Sequence, residues 1–187
     1  MAWNKSHKIQ TKDKILTSAA ELFTRNGFEK VSIDQVMQHA QLTRGAFYAH
    51  FSSKSDLYSQ SVVKAATLAS NRHLTQCSGT IESLTQAYLS QQHRDSEGIT
   101  PCPLAFLVSD ISQQDEMVRN TYTRIFKAFS ETAKSFSDDE NIGLQTAAMM
   151  IGGLAISKAL NDENLSDKLL KACQLGVSEL NKSKDYV

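Results

Sequence analysis

The sequence predicts an all-α protein, and three observations carry that expectation. Its two prolines, Pro101 and Pro103, stand together, so the rest of the 187 residues is free to be helical. Apolar residues recur three and four apart along most of the chain. No segment shows the strict alternation of a half-buried strand, and no internal repeat is found.

The elements follow in order. In "TKDKILTSAAELFTRNG", Ile15, Leu16, Ala19, Leu22 and Phe23 share one helical face, and Gly27 is the stop. Ser32 is placed to cap a short helix, "IDQVMQHA", whose Ile33, Val36, Met37 and Ala40 fall together. Thr43 caps the next, "RGAFYAHF", and Ser53 opens a longer one, "KSDLYSQSVVKAATLASNRHL". Asp56 stands three residues after Ser53, close to a capping box with Asp in place of Glu or Gln. Further helices are expected at about 80–93, 103–113, 115–136, 143–160 and 165–181, about nine in all, with "RDSEGITPCP", "SFSDDENIG" and "NDENLS" as breaks.

Composition narrows the function. The chain is neutral overall, yet residues 1–60 hold eight Lys/Arg against five Asp/Glu, a balance of +3, which hints at a polyanionic partner. Three widely spaced cysteines, Cys77, Cys102 and Cys173, argue against a disulfide framework and for a reducing, cytoplasmic setting. No apolar run approaches the roughly 18 residues of a membrane span, and the start lacks the apolar core of a signal peptide. No nucleophile-elbow, phosphate-loop or zinc-protease motif is present, so no enzyme, metal or cofactor is expected. His73 and Cys77 are four apart on a helix, but two ligands do not close a zinc site.

Two short helices joined by a tight turn after a longer one make a helix-turn-helix. On the wheel of "RGAFYAHF", Phe47 and Phe51 fall together and point into a small core with Leu22, Phe23 and Val36. Gly45, Ala46 and Ala49 leave the opposite face nearly bare, and a bare helix can enter a major groove. Arg44 suits a guanine edge; Tyr48 and His50 suit phosphate oxygens or base edges; Thr43 and Lys54 stand at helix starts that suit phosphates. The alternative is a helical hairpin packed on the rest of the protein, or an adaptor that binds protein and never touches DNA.

The stretch "ILTSAAELFTRNGFEKVSIDQVMQHAQLTRGAFYAHFSSKSDLYSQSV" resembles the N-terminal domain of the tetracycline-repressor (TetR/AcrR) family of transcriptional regulators. It carries the A-x-x-L/F-F-x-x-x-G-F/Y run, the T/S-led start of helix two and the G-x-x-Y-x-H/Y-F-x-S/N-K ending. The resemblance implies a DNA-binding domain at 1–53, with Ser32, Thr43, Arg44, Gly45, Ala46, Tyr48, His50 and Lys54 at the DNA. It implies an effector-binding and dimerisation domain at 54–187. Gln41 departs from the usual turn Gly, at a cost of up to about 1 kcal/mol if its φ is positive. Asp34, early in helix two, would repel phosphate and is left outside the site.

The resemblance further implies a homodimer on a palindromic duplex operator, released by a small-molecule effector of apolar or aromatic character. Met149, Gly152, Gly153, Ile156, Leu169, Cys173 and Val177 are the candidate dimer contacts; a deep monomer core is the alternative. Cys102, Phe106, Leu107, Tyr122, Phe126 and Phe129 are candidate pocket walls, each equally readable as core. Cys102 sits at a helix start between two prolines, where a thiolate is favoured, so a cysteine-based redox or electrophile sensor is a variant of the same reading.

Overall fold

The structure is a computed structural model and describes residues 5–76, 78–96 and 100–182. Among these residues there are eleven helices and no strand: α1 Lys5–Asn26, α2 Ile33–His39, α3 Arg44–Tyr48, α4 Lys54–Gln76, α5 Ile81–Tyr88, α6 Gln91–Asp95, α7 Pro103–Phe106, α8 Val108–Ser112, α9 Glu116–Lys134, α10 Glu140–Ala159 and α11 Glu163–Lys182. The all-α expectation holds, and two expected helices are each divided. The 80–93 helix breaks at Leu89, where Ser90 caps α6 by accepting from the His93 N–H. The 103–113 helix breaks at Leu107, whose φ of −112° and ψ of 7° leave the helical region. His73 and Cys77, raised as a metal pair, lie outside the residues whose side chains are described.

The chain forms two compact units. The first takes everything through Leu68 together with Thr100–Thr123; the second takes Ala69–Ile99 and the chain from Arg124 onward.

The core of the first unit follows the predicted stripes. Ile15, Ala19 and Phe23 of α1, Val36 and Met37 of α2, and Phe47 and Phe51 around α3 are all buried, whereas Leu22 is half-buried. Phe47 and Phe51 stack with ring centres 5.8 Å apart. Removing that apolar surface from water is what makes three such short helices stand.

A second set of contacts fixes the end of α1. Gly27 ends it at a φ of 78°, and its N–H closes the last turn on the Phe23 carbonyl at 2.8 Å. Asp110 of α8 then takes the next donor, the Phe28 N–H, at 3.0 Å, and accepts from the Tyr58 hydroxyl of α4 with its other oxygen. Phe23, Phe28 and Tyr58 pack ring to ring beside it, the edge contact of Phe23 on Tyr58 at 4.8 Å. A Cβ at position 27 would stand 2.8 Å from the Asp110 carboxylate oxygen, so only glycine fits both the backbone and the space.

The second unit is organised by α10 against α11. Gly153 of α10 makes room for Cys173 of α11, where a Cβ would come within 2.7 Å of the sulfur. Gly176 of α11 in turn makes room for Met149 of α10, at 2.8 Å. Each helix thus offers a notch that the other fills. Contrary to the expectation from sequence, α10 is long and apolar enough by length and composition to cross a bilayer. Eight of its residues, among them Ala147, Met150, Ile151 and Leu154, are buried in this unit, as in a core helix.

At the foot of the same pair, Arg94 of α6 is almost fully enclosed. Its guanidinium donates to Asp95 at 2.8 Å, to Asp167 of α11 at 2.6 Å and to the Ser166 hydroxyl at 2.8 Å. Ser166 passes its own proton to the Ser157 carbonyl of α10 at 2.8 Å, so three helices are tied at one point. A buried charge so surrounded is costly to strand.

Two predictions follow from these contacts. Gly27→Ala should lower unfolding free energy in urea by at least about 1–2 kcal/mol, the cost of a left-handed residue with a Cβ. Arg94→Ala should cost on the order of 3 kcal/mol at neutral pH. The Arg94 hydrogen bond, against the opposing effect of burial, holds Asp95 below its ordinary carboxylate pKa. That contribution is present above the unfolded carboxylate value, about 4, and is lost as pH falls through the folded one. The stability gap between the wild type and Arg94→Ala should therefore narrow below about pH 4 in thermal melts.

Candidate nucleic-acid interface

The helix-turn-helix is built by local hydrogen bonds that the sequence encodes. Ser32 and Gln35 form a reciprocal capping box at α2: the Gln35 N–H donates to the Ser32 hydroxyl at 3.2 Å, and the Ser32 N–H to the Gln35 side-chain carbonyl at 2.7 Å. The turn to α3 is closed by the Gln41 N–H on the Gln38 carbonyl and the Leu42 N–H on the Met37 carbonyl, both at 2.9 Å. Gln41 has a φ of 55°, so the departure from glycine does carry the left-handed penalty.

Thr43 stands at the N-cap of α3 with an extended backbone, but its hydroxyl makes no cap bond. Helix α3 is shorter than expected. It ends at Tyr48 with Ala49 as C-cap, so His50 lies just beyond the helix. Its outward side is open as anticipated: Arg44, Gly45, Tyr48 and Ala49 are exposed, Ala46 is half-buried, and a Cβ on Gly45 would meet only the Thr43 hydroxyl at 3.9 Å. Tyr48 is 64% exposed and leans edge-on against Phe47, 5.1 Å between centres.

Arg44 is not a free cation. One guanidinium nitrogen lies 3.0 Å from a carboxylate oxygen of Asp34, and both side chains are exposed. The Tyr48 hydroxyl bonds the guanidinium as well, and together with Asp34 pushes its pKa further above the ordinary range. Asp34, set aside in the sequence reading because it would repel phosphate, thus faces the same side as Arg44 and aims it.

Lys54 opens α4 with its ammonium 4.1 Å from the centre of the Phe28 ring, a cation–π contact. The box predicted there is shifted by one residue. Ser53 accepts from the Asp56 N–H at 3.0 Å as expected, but the Asp56 carboxylate reaches back to the N–H and hydroxyl of Ser52, at 2.9 and 3.0 Å. The start of α4 therefore already holds a carboxylate. Burial opposes the charge on Asp56, but the bonds from Ser52 and Gln60, with Lys12 nearby, win and lower its pKa.

Residues 15–60 match the family model described as bacterial regulatory proteins, tetR family. That stretch is similar to the family's N-terminal domain. It is 31% identical over 107 residues to the transposon Tn10 TetC protein of Escherichia coli, covering 52% of this chain and 54% of that one. It is 35% identical over 51 residues to IcaR of Staphylococcus aureus, a negative transcriptional regulator of a biofilm operon, covering 27% of each. The chain thus spans about half, or less, of the length of the curated relatives it matches. A TetR-family transcriptional regulator from Cytophaga hutchinsonii superposes with a TM-score of 0.78 at 16% identity, over 96% of this chain and 98% of that one, which shares the fold.

The candidate pocket residues are divided between the units. Cys102, Phe106, Leu107 and Tyr122 belong to the first, Phe126 and Phe129 to the second. Cys102 is 3% exposed and Leu107 1%, while Phe106 and Tyr122 are half-buried. The Tyr122 hydroxyl donates to the Leu104 carbonyl at 2.8 Å, and burial, with the Cys102 thiol beside it, pushes the phenol up to about 12. Phe129 packs on Tyr88, 5.1 Å between ring centres. A separate cavity of about 180 Å³ lies between α5 and α11, lined by Ile81, Thr85, Gln174 and Leu175 among others, smaller than the pockets that enclose drug-sized ligands.

Of the candidate dimer residues, Gly153, Cys173 and Val177 are used inside the second unit: the first two as the α10–α11 notch, Val177 at 1% exposure. Met149 lies over Gly176. Ile156 is 54% exposed, a Cβ on Gly152 would meet nothing within 4 Å, and Leu169 is half-buried. With Leu144 and Ala148, Gly152 and Ile156 form a stripe at 144, 148, 152 and 156 along α10; Leu165 and Leu175 of α11 are exposed as well, Leu175 beside the α5–α11 cavity. Gly152 and Ile156 of this stripe were candidates from sequence, whereas Leu144 and Ala148 were not singled out, because α10 is apolar around much of its circumference.

Proposed function

We propose that this chain is a homodimeric transcriptional repressor that binds a palindromic duplex operator and is released by a small-molecule effector of apolar or aromatic character. The observation that carries the reading is α3: a helix with a bare outer face, rimmed by Arg44 and Tyr48 and held by a capped α2 and a tight turn. The similarity to a negative regulator supports repression over activation.

In this reading residues 1–53 contact DNA and residues 54–187 bind effector and the second copy. Arg44, directed by Asp34, donates a bidentate pair to a guanine edge. Gly45 and Ala46 let the backbone come close to the groove floor. Tyr48 and His50 reach phosphates or base edges, and the Thr43 hydroxyl and Lys54 hold phosphates. Ser32 acts mainly through its capping box, which sets the start of α2. Two copies place two α3 helices about one DNA turn apart. An effector that prefers a conformation with the wrong separation lowers operator affinity by its differential binding to the two states.

Binding to the DNA upstream of its own coding sequence, with competitor DNA present, tests the reading. Arg44→Ala should weaken specific binding roughly 10- to 100-fold, the worth of one bidentate base contact, and Tyr48→Ala should weaken it too. Both variants should remain dimers. Normal binding by either would misplace the recognition helix, and absence of salt-dependent DNA affinity would favour a protein-binding adaptor. Ile156→Asp, placing a charge in the exposed α10 stripe, should yield a folded monomer in sedimentation and reduced operator affinity; an unchanged dimer would put the interface elsewhere.

A further inference from the structure

We propose that Lys8 and Lys12 of α1, together with His50, form a second phosphate-binding edge that extends the DNA footprint beyond α3. The inference rests on the DNA-binding reading above and adds to it residues that neither the motif nor the wheel of α3 selects.

The first observation is the length of α1. Its apolar stripe begins at Ile15, yet the helix begins at Lys5. Residues 5–12 therefore continue as helix, and Lys8 and Lys12, four apart, lie on one face. The second observation is where that face points. The Lys12 ammonium stands 5.6 Å from the centre of the Phe51 ring, and the His50 ring lies 6.2 Å from the same ring. Phe51 is buried, and it directly follows the turn that ends α3. The two lysines thus stand beside the residues that directly follow α3.

The local charge is unbalanced. Asp13, the nearest acid in sequence, is taken by Lys64 at 2.6 Å. Asp56 lies near Lys12 and offsets one lysine charge, but its oxygens are already bound by Ser52 and Gln60, so the pair of lysines stays net positive. Burial is the main cause that lowers the His50 pKa, and Lys8 and Lys12, near enough to disfavour a charged ring, add to it. Like charges four apart on a helix also repel. An anion relieves both. Phosphates along a duplex supply it in a row.

The test measures affinity for a short mixed-sequence duplex as a function of salt, which needs no knowledge of the operator. Each lost phosphate contact should flatten the slope of log K against log salt by about 0.9. Lys8→Gln, an exposed change that leaves the Phe51 contact intact, should flatten it by about that much, and Lys8→Gln with Lys12→Gln by about twice as much. Unchanged slopes in both, in protein whose binding still weakens with Arg44→Ala, would overturn the second edge and leave the DNA-binding reading standing. No salt-dependent affinity in the wild type would overturn both.

Discussion

The first unit depends on one carboxylate. Asp110 joins three parts of the chain: the end of α1 through the Phe28 N–H, the first turns of α4 through the Tyr58 hydroxyl, and α8, on which it is carried. A half-buried carboxylate left without donors would be expensive, so each bond also holds the others in place. Burial and the Asp110 charge both raise the Tyr58 pKa, which keeps the phenol a donor across the working pH range. Phe28, fixed by its backbone, then offers its ring face to Lys54 at the start of α4. A constraint applied at α8 thus reaches the edge of the helix-turn-helix through two bonds and one ring.

The same economy governs the cations. Arg44 is held by Asp34 and Tyr48, Lys54 by the Phe28 ring and Lys12 by the Phe51 ring. Long side chains fixed in advance lose less rotamer entropy when they meet a partner. The pairing of Arg44 has an opposing consequence. Asp34 offsets part of the positive charge that an unpaired arginine would carry at this exposed surface.

Much of this was legible in the residues. The stripe Ile15, Ala19, Phe23 and the pair Phe47, Phe51 identified their buried faces by spacing alone, and the turn at Gln41 was marked by the residue that glycine would replace. The misses have physical causes. Residues 5–10 carry no apolar period, so nothing in the pattern shows that α1 extends back past Thr11 to include Lys8. The breaks at Leu89 and Leu107 follow from caps and tertiary packing rather than from glycine or proline at the break itself. Arg94 reads as an ordinary surface arginine until α11 brings Asp167 and Ser166 to it.

Helix α10 shows where periodicity stops being informative. An amphipathic helix reveals its buried side because the other side is polar. In α10 both sides are apolar, and the distinction passes to the smallest residues. Gly153 lies on the side that α11 occupies and is filled by Cys173; Gly152, one residue earlier, faces open space between Leu144, Ala148 and Ile156. The two glycines are neighbours in sequence and about 100° apart around the axis. One notch is closed within the chain by the Cys173 sulfur; the other lies open in an apolar stripe whose Leu144 and Ile156 stand exposed, so the size of one residue, not the period of the pattern, separates the packed side of the helix from the open one.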